Sequence, residues 1–291
     1  MIVHLIDGTY ELFRQFFGRP GHIAPHGHDV GAMRGVLQST LALIEQGATH
    51  LGVATDHVIE SFRNELFDGY KSGDGIDPAL LWQFHPLEEG LQLMGVTTWP
   101  SIKVEADDSL ASAALIAQQD SRVKQVRILS PDKDLAQCVN GSAVVQVDRR
   151  KDVVFDEGAV IEKFGVLPTS IPDYLALVGD SADGYPGIAG FGAKSTATLL
   201  MQFKTIEAIP QDVSQWGAVR GAAKLSENLQ ANYQDALLFK ELATLRTQPP
   251  VIDSVDELAW QGPTDAFSEW CERHDATAIC KRATKLAEKV P

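Results

Sequence analysis

The amino-acid sequence predicts an α/β protein with a largely parallel sheet flanked by helices, followed by a helical region. Short apolar runs typical of buried strands alternate with helical patterns over about the first 170 residues, which is the spacing of β-α-β units. After Asp183 the pattern is helical, and no strand run returns before Val251. The predicted strands cover residues 2–6, 51–55, 95–100 and 126–129, with an edge hairpin at 144–147 and 153–155. We therefore expect a core over residues 1–170, a helical region over 171–248 and a C-terminal extension over 249–291 that packs on the core.

Helices are predicted between these strands from apolar residues at helical spacing. One helix follows Asp7, and a second begins at Asp29 after a loop over residues 18–28. Pro78 has the first-turn position that proline favours, so it opens a predicted helix over residues 78–93. Further helices are predicted from residue 105 and at 157–164, 196–203, 222–229, 233–244, 265–274 and 276–288.

Carboxylates recur after predicted strands, in Asp7, Asp56, Asp132 and Asp134, and others stand in the turn before the helix from residue 105 and in the segment LVGDSAD. The nine side chains in this set are Asp7, Asp56, Glu105, Asp107, Asp108, Asp132, Asp134, Asp180 and Asp183. The ligand crevice of an open parallel sheet lies at the carboxyl ends of its strands, and like charges that converge there need counter-cations. The sequence therefore predicts a cluster of hard divalent metal ions, Mg²⁺ or Mn²⁺. For the acidic turn Glu105 to Asp108 taken alone, complementing the helix dipole is an equally good interpretation.

The formal net charge of −14 disfavours a broad basic surface for a polyanion. Setting the nine carboxylates aside leaves −14 + 9 = −5. Any DNA binding must therefore rest on local basic groups and be sensitive to salt.

Other features point to an ordinary cytoplasmic protein. The longest apolar runs are far shorter than the roughly 20 residues of a membrane span, and the start MIVHLIDG lacks the features of a signal peptide. Cys138, Cys271 and Cys280 have no zinc-ligand spacing, so they are interpreted as buried or incidental thiols. His274 beside Cys271 lacks a second pair of ligands and is interpreted in the same way.

Residues 57–78 contain no sustained periodicity and carry Arg63, Tyr70 and Lys71. A mobile segment with these side chains suits an arch or lid that meets a substrate phosphate. A plain surface excursion is equally compatible with the composition.

A glycine-rich stretch precedes the predicted helix at 196–203. It contains Gly187, Gly190, Gly192, Lys194 and Ser195. Glycines let the backbone approach a ligand closely, and the following helix offers unpaired N–H groups to an anion. The stretch is not a Walker A loop, because the lysine does not directly follow a glycine. It suits a backbone phosphate of a nucleic acid, with a tight helix-helix turn as the alternative.

Five motifs in order carry a resemblance to a known family. They are IDGTYELFR, FRNELFDGYK, VEADD, SPDKDL and DYLALVGDSADGYPGIAGFGAKSTATLL. Residues 2–247 resemble the 5′-3′ exonuclease domain of bacterial DNA polymerase I and its free-standing relatives in the flap-endonuclease family. The sequence ends without a polymerase, so it resembles the stand-alone type.

The resemblance implies a PIN-like nuclease core and a helix-hairpin-helix, or helix-three-turn-helix, DNA-binding region. It further implies metal-dependent cleavage of DNA at 5′ ends and flap junctions, by a protein that we expect to be a monomer. By motif, the first metal centre is expected to use Asp7, Asp56, Glu105, Asp107, Asp108, Asp132 and Asp134, with Asp107 essential for cleavage. The second centre is expected to use Asp180 and Asp183.

The resemblance also assigns the basic residues. Arg63 and Lys71 match groups that approach the scissile phosphate, and Tyr70 matches a neighbour that stacks on a base. The hairpin from Gly187 to Lys194 resembles a loop that holds duplex phosphates, in relatives often with bound K⁺. Arg14 is a further DNA-binding candidate on the first helix.

The sequence departs from the family pattern at three places. Residues 72–77 replace a basic, proline-rich stretch, which predicts weaker capture of a 5′ single strand. Ser130 and Pro131 stand where Thr-Gly is usual, and Gly184 stands where Asn is common. All nine carboxylates are present, which predicts an active enzyme. The alternatives are a DNA-junction binding protein with little turnover and a metal-dependent ribonuclease on a PIN-like core.

Overall fold

A computed structural model describes residues 1–289 and divides the chain into two compact units. Unit 1 contains Met1–Ile59, Gly73–Ser130 and the described residues from Arg246 onward. Unit 2 contains Glu60–Ser72 and Pro131–Leu245. Each unit is therefore built from segments that are distant in sequence.

Six strands and thirteen α-helices form in the described chain. The strands are β1 (Ile2–Asp7), β2 (His50–Asp56), β3 (Thr97–Ser101), β4 (Gln125–Leu129), β5 (Val144–Asp148) and β6 (Val153–Phe155). The helices are α1 (Gly8–Gly18), α2 (Gly31–Glu45), α3 (Phe62–Leu66), α4 (Pro78–Leu81), α5 (Phe84–Leu93), α6 (Ala106–Ala117), α7 (Glu157–Phe164), α8 (Ile171–Val178), α9 (Ala193–Phe203), α10 (Ala222–Ala231), α11 (Tyr233–Ala243), α12 (Phe267–Arg273) and α13 (Thr277–Ala287). Short 3₁₀ helices cover Asp134–Cys138, Pro168–Ser170, Ile206–Ala208, Val213–Trp216 and Val255–Leu258.

The sheet of unit 1 is parallel, in the order β3-β2-β1-β4. Leu5 on β1 lies opposite Gly52 on β2 and Ile128 on β4. Most residues of the two central strands are buried, as expected where both faces of a parallel sheet are covered. A Cβ atom on Gly52 would lie 2.2 Å from the Trp99 ring, so any larger residue here would displace that ring. The parallel order places the carboxyl ends of all four strands at one edge, as the sequence predicted.

The C-terminal segment packs within unit 1. The Trp260 backbone N–H donates to the Thr49 carbonyl at 2.9 Å, and its indole N–H donates to the Met94 carbonyl at 2.8 Å. The apolar run at 251–255 forms no strand, although it was the first strand-like run after Asp183. Instead the Ser254 side chain accepts from the Asp256 N–H and caps the 3₁₀ helix Val255–Leu258.

The single helix predicted over residues 78–93 is wrong in one respect, because α4 and α5 are separate. Pro86 has no N–H to donate to the carbonyl of Trp82, four residues earlier. A proline ring also clashes with that carbonyl in a continuous helix. The helix therefore restarts at Phe84 with Pro86 in its first turn.

Unit 2 combines an antiparallel hairpin with a helical core. Strands β5 and β6 pair antiparallel, with Val147 opposite Val154, so the predicted hairpin is confirmed. Helices α8, α9 and α11 contribute the buried core, and Tyr185 stacks on Phe239 with ring centroids 5.5 Å apart. Among residues 1–289, none of the helices has both the length and the apolar character required to cross a membrane.

Candidate active site

Three aspartates of unit 2 come together although they belong to different segments. Asp134 begins the 3₁₀ helix Asp134–Cys138, and Asp180 and Asp183 lie in the turn after α8. All three are buried, and one carboxylate oxygen from each lies within 4.8 Å of the others. The turn is closed by the Asp180 N–H, which donates to the Tyr185 carbonyl at 2.8 Å. The structure thus brings together three of the nine predicted ligands.

Two lysines neutralise most of this negative charge. Lys71 Nζ lies 3.0 Å from Asp183 Oδ1, and Lys133 Nζ lies 2.6 Å from Asp180 Oδ1. Burial lowers the pKa of Lys133, but the hydrogen bond and charge of Asp180 outweigh burial and raise the pKa above its usual range. Lys133 was not selected from the sequence, although its place between Asp132 and Asp134 was a usable signal.

Asp134 is the least compensated member of the cluster. Burial is the largest cause that raises its pKa well above the usual range, and the charges of Asp132, Asp183 and Asp180 add to it. Within residues 1–289, Asp134 Oδ1 has no hydrogen-bond partner. A buried carboxylate oxygen of this kind is a suitable ligand for a cation.

Asp132 lies beside this cluster and is exposed. Its Oδ1 accepts from the Asp134 N–H at 3.0 Å, and its backbone carbonyl accepts from the side-chain amide of Gln146. Asp132 therefore holds the start of the 3₁₀ helix that carries Asp134.

Lys71 is positioned by its backbone as well as by its charge. Its N–H donates to the Asp183 carbonyl at 3.0 Å, and its carbonyl accepts from Asn64 Nδ2 at 2.9 Å. Gly184 has a φ of +91°, and a Cβ atom there would lie 2.1 Å from the Gly69 carbonyl oxygen. Glycine at 184 thus permits the close approach that joins the Lys71 segment to the aspartate turn.

The structure places Arg63 and Tyr70 in the interior of unit 2. The Arg63 side chain is only 1% exposed, and it donates to the backbone carbonyls of Leu242 at 2.7 Å and Thr244 at 3.1 Å. Tyr70 is buried among the core residues of the same unit. These positions fit residues that anchor the segment, whereas contact with a phosphate or a base requires exposed groups.

In unit 1, Asp7 and Asp56 lie at the ends of the neighbouring strands β1 and β2. Asp7 caps α1 by accepting from the Tyr10 N–H at 2.8 Å, and its other oxygen accepts from Ser130 Oγ at 2.8 Å. Asp56 Oδ1 accepts from the Ala106 N–H at 2.8 Å, which joins the end of β2 to the start of α6. Ser130 therefore supports Asp7. The sequence comparison, in which Ser130 stands where Thr is usual, did not suggest this role.

The acidic turn before α6 contains two kinds of carboxylate. Asp108 is 1% exposed, and its oxygens accept from the backbone N–H groups of Glu105 at 2.9 Å and Arg246 at 2.7 Å. These bonds give Asp108 a structural role at the start of α6. Asp107 is partly exposed on the first turn of α6. Glu105 is buried and directly precedes the helix.

The glycine-rich stretch of unit 2 lies against a cavity of about 790 Å³. Gly192 precedes α9, and the Ser195 hydroxyl bonds to the Gly192 backbone. The basic residues that line the cavity are Lys194, Arg220 and Lys224. Arg220 and Lys224 were missed from the sequence, because nothing in the local sequence indicates that they line the same cavity as Lys194. Arg14, on α1 of unit 1, is half-buried and paired with Glu11.

Comparison with known proteins confirms the resemblance. Residues 2–165 match the family model described as 5′-3′ exonuclease, N-terminal resolvase-like domain, and residues 166–266 match 5′-3′ exonuclease, C-terminal SAM fold. The 5′-3′ exonuclease of Aquifex aeolicus is 33% identical over 243 residues, which is 82% of each chain. DNA polymerase I of Bacillus caldotenax is 34% identical over 263 residues, and this chain spans only 29% of its length.

Solved structures confirm the fold class. The T5 5′-exonuclease with bound zinc ions has a TM-score of 0.68 at 17% identity, over 99% of each chain. The catalytic core of Rad2 in complex with DNA substrate has a TM-score of 0.63 at 12% identity, over 97% of this chain and 91% of Rad2. The two family models together span residues 2–266, and with the Aquifex relative they show that this chain belongs to the 5′-3′ exonuclease family.

Proposed function

We propose that this protein is a divalent-metal-dependent 5′-3′ exonuclease and structure-specific flap endonuclease that hydrolyses DNA phosphodiester bonds at or near 5′ ends and junctions. The observation that carries the proposal is the buried group of Asp134, Asp180 and Asp183, with a lysine against each of the last two. Counted with every carboxyl ionised, three buried aspartates and two partly exposed lysines carry a formal charge of −3 + 2 = −1. Such a group suits a cation and a phosphate together.

The donor set fits Mg²⁺ or Mn²⁺. It consists of hard carboxylate oxygens, which these ions prefer, and Asp134 Oδ1 is buried without a partner among residues 1–289. When bound, such ions polarise the scissile phosphate and lower the pKa of a water molecule. We assign Asp134, Asp180 and Asp183 as ligands, with Asp132 in support.

We assign a second set of ligands to unit 1. Asp7, Asp56, Glu105 and Asp107 are its members, and their position at the carboxyl ends of parallel strands supports the assignment. Asp108 is assigned a supporting role, because its two oxygens bind backbone N–H groups of Glu105 and Arg246.

Lys71 is the residue that we expect to contact the scissile phosphate. Its ammonium group is partly exposed at the aspartate cluster, and it can offset negative charge that develops on the phosphoryl oxygens. We assign Arg63 and Tyr70 to holding this segment. Their burial supports that assignment over direct contact with DNA.

The glycine-rich stretch is proposed to hold the DNA duplex. Lys194, Arg220 and Lys224 offer charge to backbone phosphates around the same cavity, and phosphate contacts position a duplex without reading its sequence. We therefore expect cleavage that tolerates any sequence. We also propose that the backbone of this stretch binds K⁺, that Arg14 contacts DNA and that the protein is a monomer.

The test is cleavage of a 5′-labelled flap duplex and of a matched blunt duplex, each with Mg²⁺, Mn²⁺ or chelator. We expect metal-dependent cutting near the flap junction, abolished by Asp134→Asn and by Asp107→Asn. The matched control is Asp235→Asn, which removes an exposed carboxylate from α11 of unit 2 and should cleave normally.

Other outcomes would overturn the proposal. Flap binding in chelator without any metal-stimulated cleavage would indicate a junction-binding protein. Cleavage of the all-ribose version in preference to DNA would indicate a ribonuclease. Full activity in Asp134→Asn would refute the site.

A further inference from the structure

A second group of potential metal ligands lies in unit 1 and contains two histidines. His57 directly follows β2, and His85 and Glu88 are three residues apart on α5. Residues at this spacing share one face of a helix. One ligand atom from each of the three side chains lies within 4.8 Å of the others.

Glu88 is oriented by its neighbours rather than by solvent. It is 4% exposed, its Oε1 accepts from Thr55 Oγ1 at 2.7 Å, and its Oε2 lies 2.6 Å from His57 Nδ1. A hydrogen bond that fixes a ligating carboxylate is a regular feature of metal sites. The carboxylate is therefore held with one oxygen toward His57.

A simple ion pair between His57 and Glu88 accounts for only part of this arrangement. His85 is exposed, yet its ring lies against the His57 ring with centroids 4.1 Å apart and planes inclined at 56°. The ion pair requires no second imidazole at that position. A metal ion would use it as a third ligand.

We propose that His57, His85 and Glu88 bind a transition-metal ion, with Zn²⁺ as the preferred class. Two imidazole nitrogens and one carboxylate oxygen form a ligand set that suits zinc, with one position left for water. Imidazole favours zinc over Mg²⁺, so this site should select a different ion from the all-carboxylate group of unit 2. A tetrahedral ion spaces its ligands by about 3.4 Å. His57 Nδ1 and Glu88 Oε2 lie 2.6 Å apart, which is closer than this spacing. The ion therefore takes the place of the proton in their hydrogen bond, and the exposed His85 moves toward the ion.

The site goes beyond the nuclease proposal and does not depend on it. The proposed zinc site is nevertheless adjacent in sequence to a proposed nuclease ligand, because His57 follows Asp56. The Asp56 carboxylate accepts from the Ala106 N–H at the start of α6. A bound ion would fix the backbone at the end of β2.

The test uses the full chain in excess Mg²⁺, titrated with Zn²⁺ against a chelating dye and with Co²⁺ followed by visible absorption. We expect binding of Zn²⁺ that Mg²⁺ does not displace, and the intense Co²⁺ absorption of a tetrahedral site. His85→Gln should weaken Zn²⁺ binding by at least about tenfold and remove the tetrahedral Co²⁺ band. Because His85 is exposed, this variant should unfold at the same temperature as the unaltered chain when no metal is added.

Two controls make the result decisive. Glu88→Gln should also lose the Co²⁺ band, whereas His26→Gln should keep it, because His26 contacts His274 and not this cluster. Unchanged Zn²⁺ affinity in His85→Gln would overturn the proposal. Loss of binding in His26→Gln alone would place the ion at the other histidines and would overturn it as well.

Discussion

Replacing Gly184 with alanine tests how the turn of Asp180 and Asp183 positions Lys71. Alanine at a φ of +91° is strained by about 1–2 kcal/mol. Its Cβ atom would also lie 2.1 Å from the Gly69 carbonyl oxygen, whereas ordinary van der Waals contact begins at 3.4 Å. The backbone must therefore move by roughly 1 Å. Overpacking of that kind costs about 1–3 kcal/mol. We therefore expect Gly184→Ala to lower the free energy of unfolding by about 2–5 kcal/mol.

The same change should impair cleavage, because the shifted Gly69 carbonyl lies two residues before Lys71. Urea unfolding and single-turnover cleavage of a 5′ flap are the two measurements. Gly141→Ala is the matched control, since Gly141 has a φ of +51° in the same unit and no atom within 4 Å of the added Cβ. The control should lose only the strain of the positive φ, about 1–2 kcal/mol, and cleave normally. Equal stability losses in the two variants, with unimpaired cleavage by Gly184→Ala, would refute the reasoning.

Three further changes have defined outcomes. Arg63→Met leaves the Leu242 and Thr244 carbonyls without their donor and should destabilise the chain to urea by about 2–4 kcal/mol; Arg63→Lys should recover only part, because an ammonium cannot reproduce the planar donor set. Lys133→Met removes the cation beside Asp180, so adding Mg²⁺ should raise the Tm of this variant by more than it raises that of the unaltered chain. An equal gain in Tm would contradict the assignment of Asp180 as a metal ligand. Burial, then the charges of His26 and Arg273, lower the pKa of His274 to about 4 from an ordinary 6.5. Above pH 6.5 this imidazole is neutral in both states. As pH falls from 6.5 to 4 the unfolded chain takes up the proton first, so the folded state loses about 2.5 units (6.5 − 4) at about 1.4 kcal/mol each, or about 3.5 kcal/mol of stability. His274→Gln should flatten the stability profile in that range, whereas the exposed His28→Gln should leave it unchanged.

Much of the fold could be predicted because its signals are local. Apolar runs that end in aspartate indicate strands whose carboxyl ends carry polar groups, and Asp7 and Asp56 do lie at such ends of a parallel sheet. The helix predicted over residues 78–93 was wrong where one residue, Pro86, removes a single backbone hydrogen bond. Periodicity over sixteen positions is insensitive to a break of that size.

The side-chain roles were harder to predict because they depend on partners far away in sequence. Arg63 carries the same charge as Lys71 and stands close to it in the chain, yet its donors bind carbonyls about 180 residues later. The acidic turn shows the same limit, since the Asp108 carboxylate accepts from the Arg246 N–H, 138 residues away. Charge and spacing selected these residues as candidates, but could not separate a ligand from an anchor.

The discontinuous composition of unit 2 has a consequence for synthesis on the ribosome. Residues 60–72, which carry Lys71, fold with residues 131–245. The carbonyl that accepts from the Arg63 guanidinium is synthesised 179 residues later. At translation rates of roughly 5–20 residues per second, that interval lasts roughly 10–40 s. The nascent protein therefore emerges with the segment that carries Lys71 unanchored, and Arg63 reaches its carbonyl partners only when nearly the whole of unit 2 has been made.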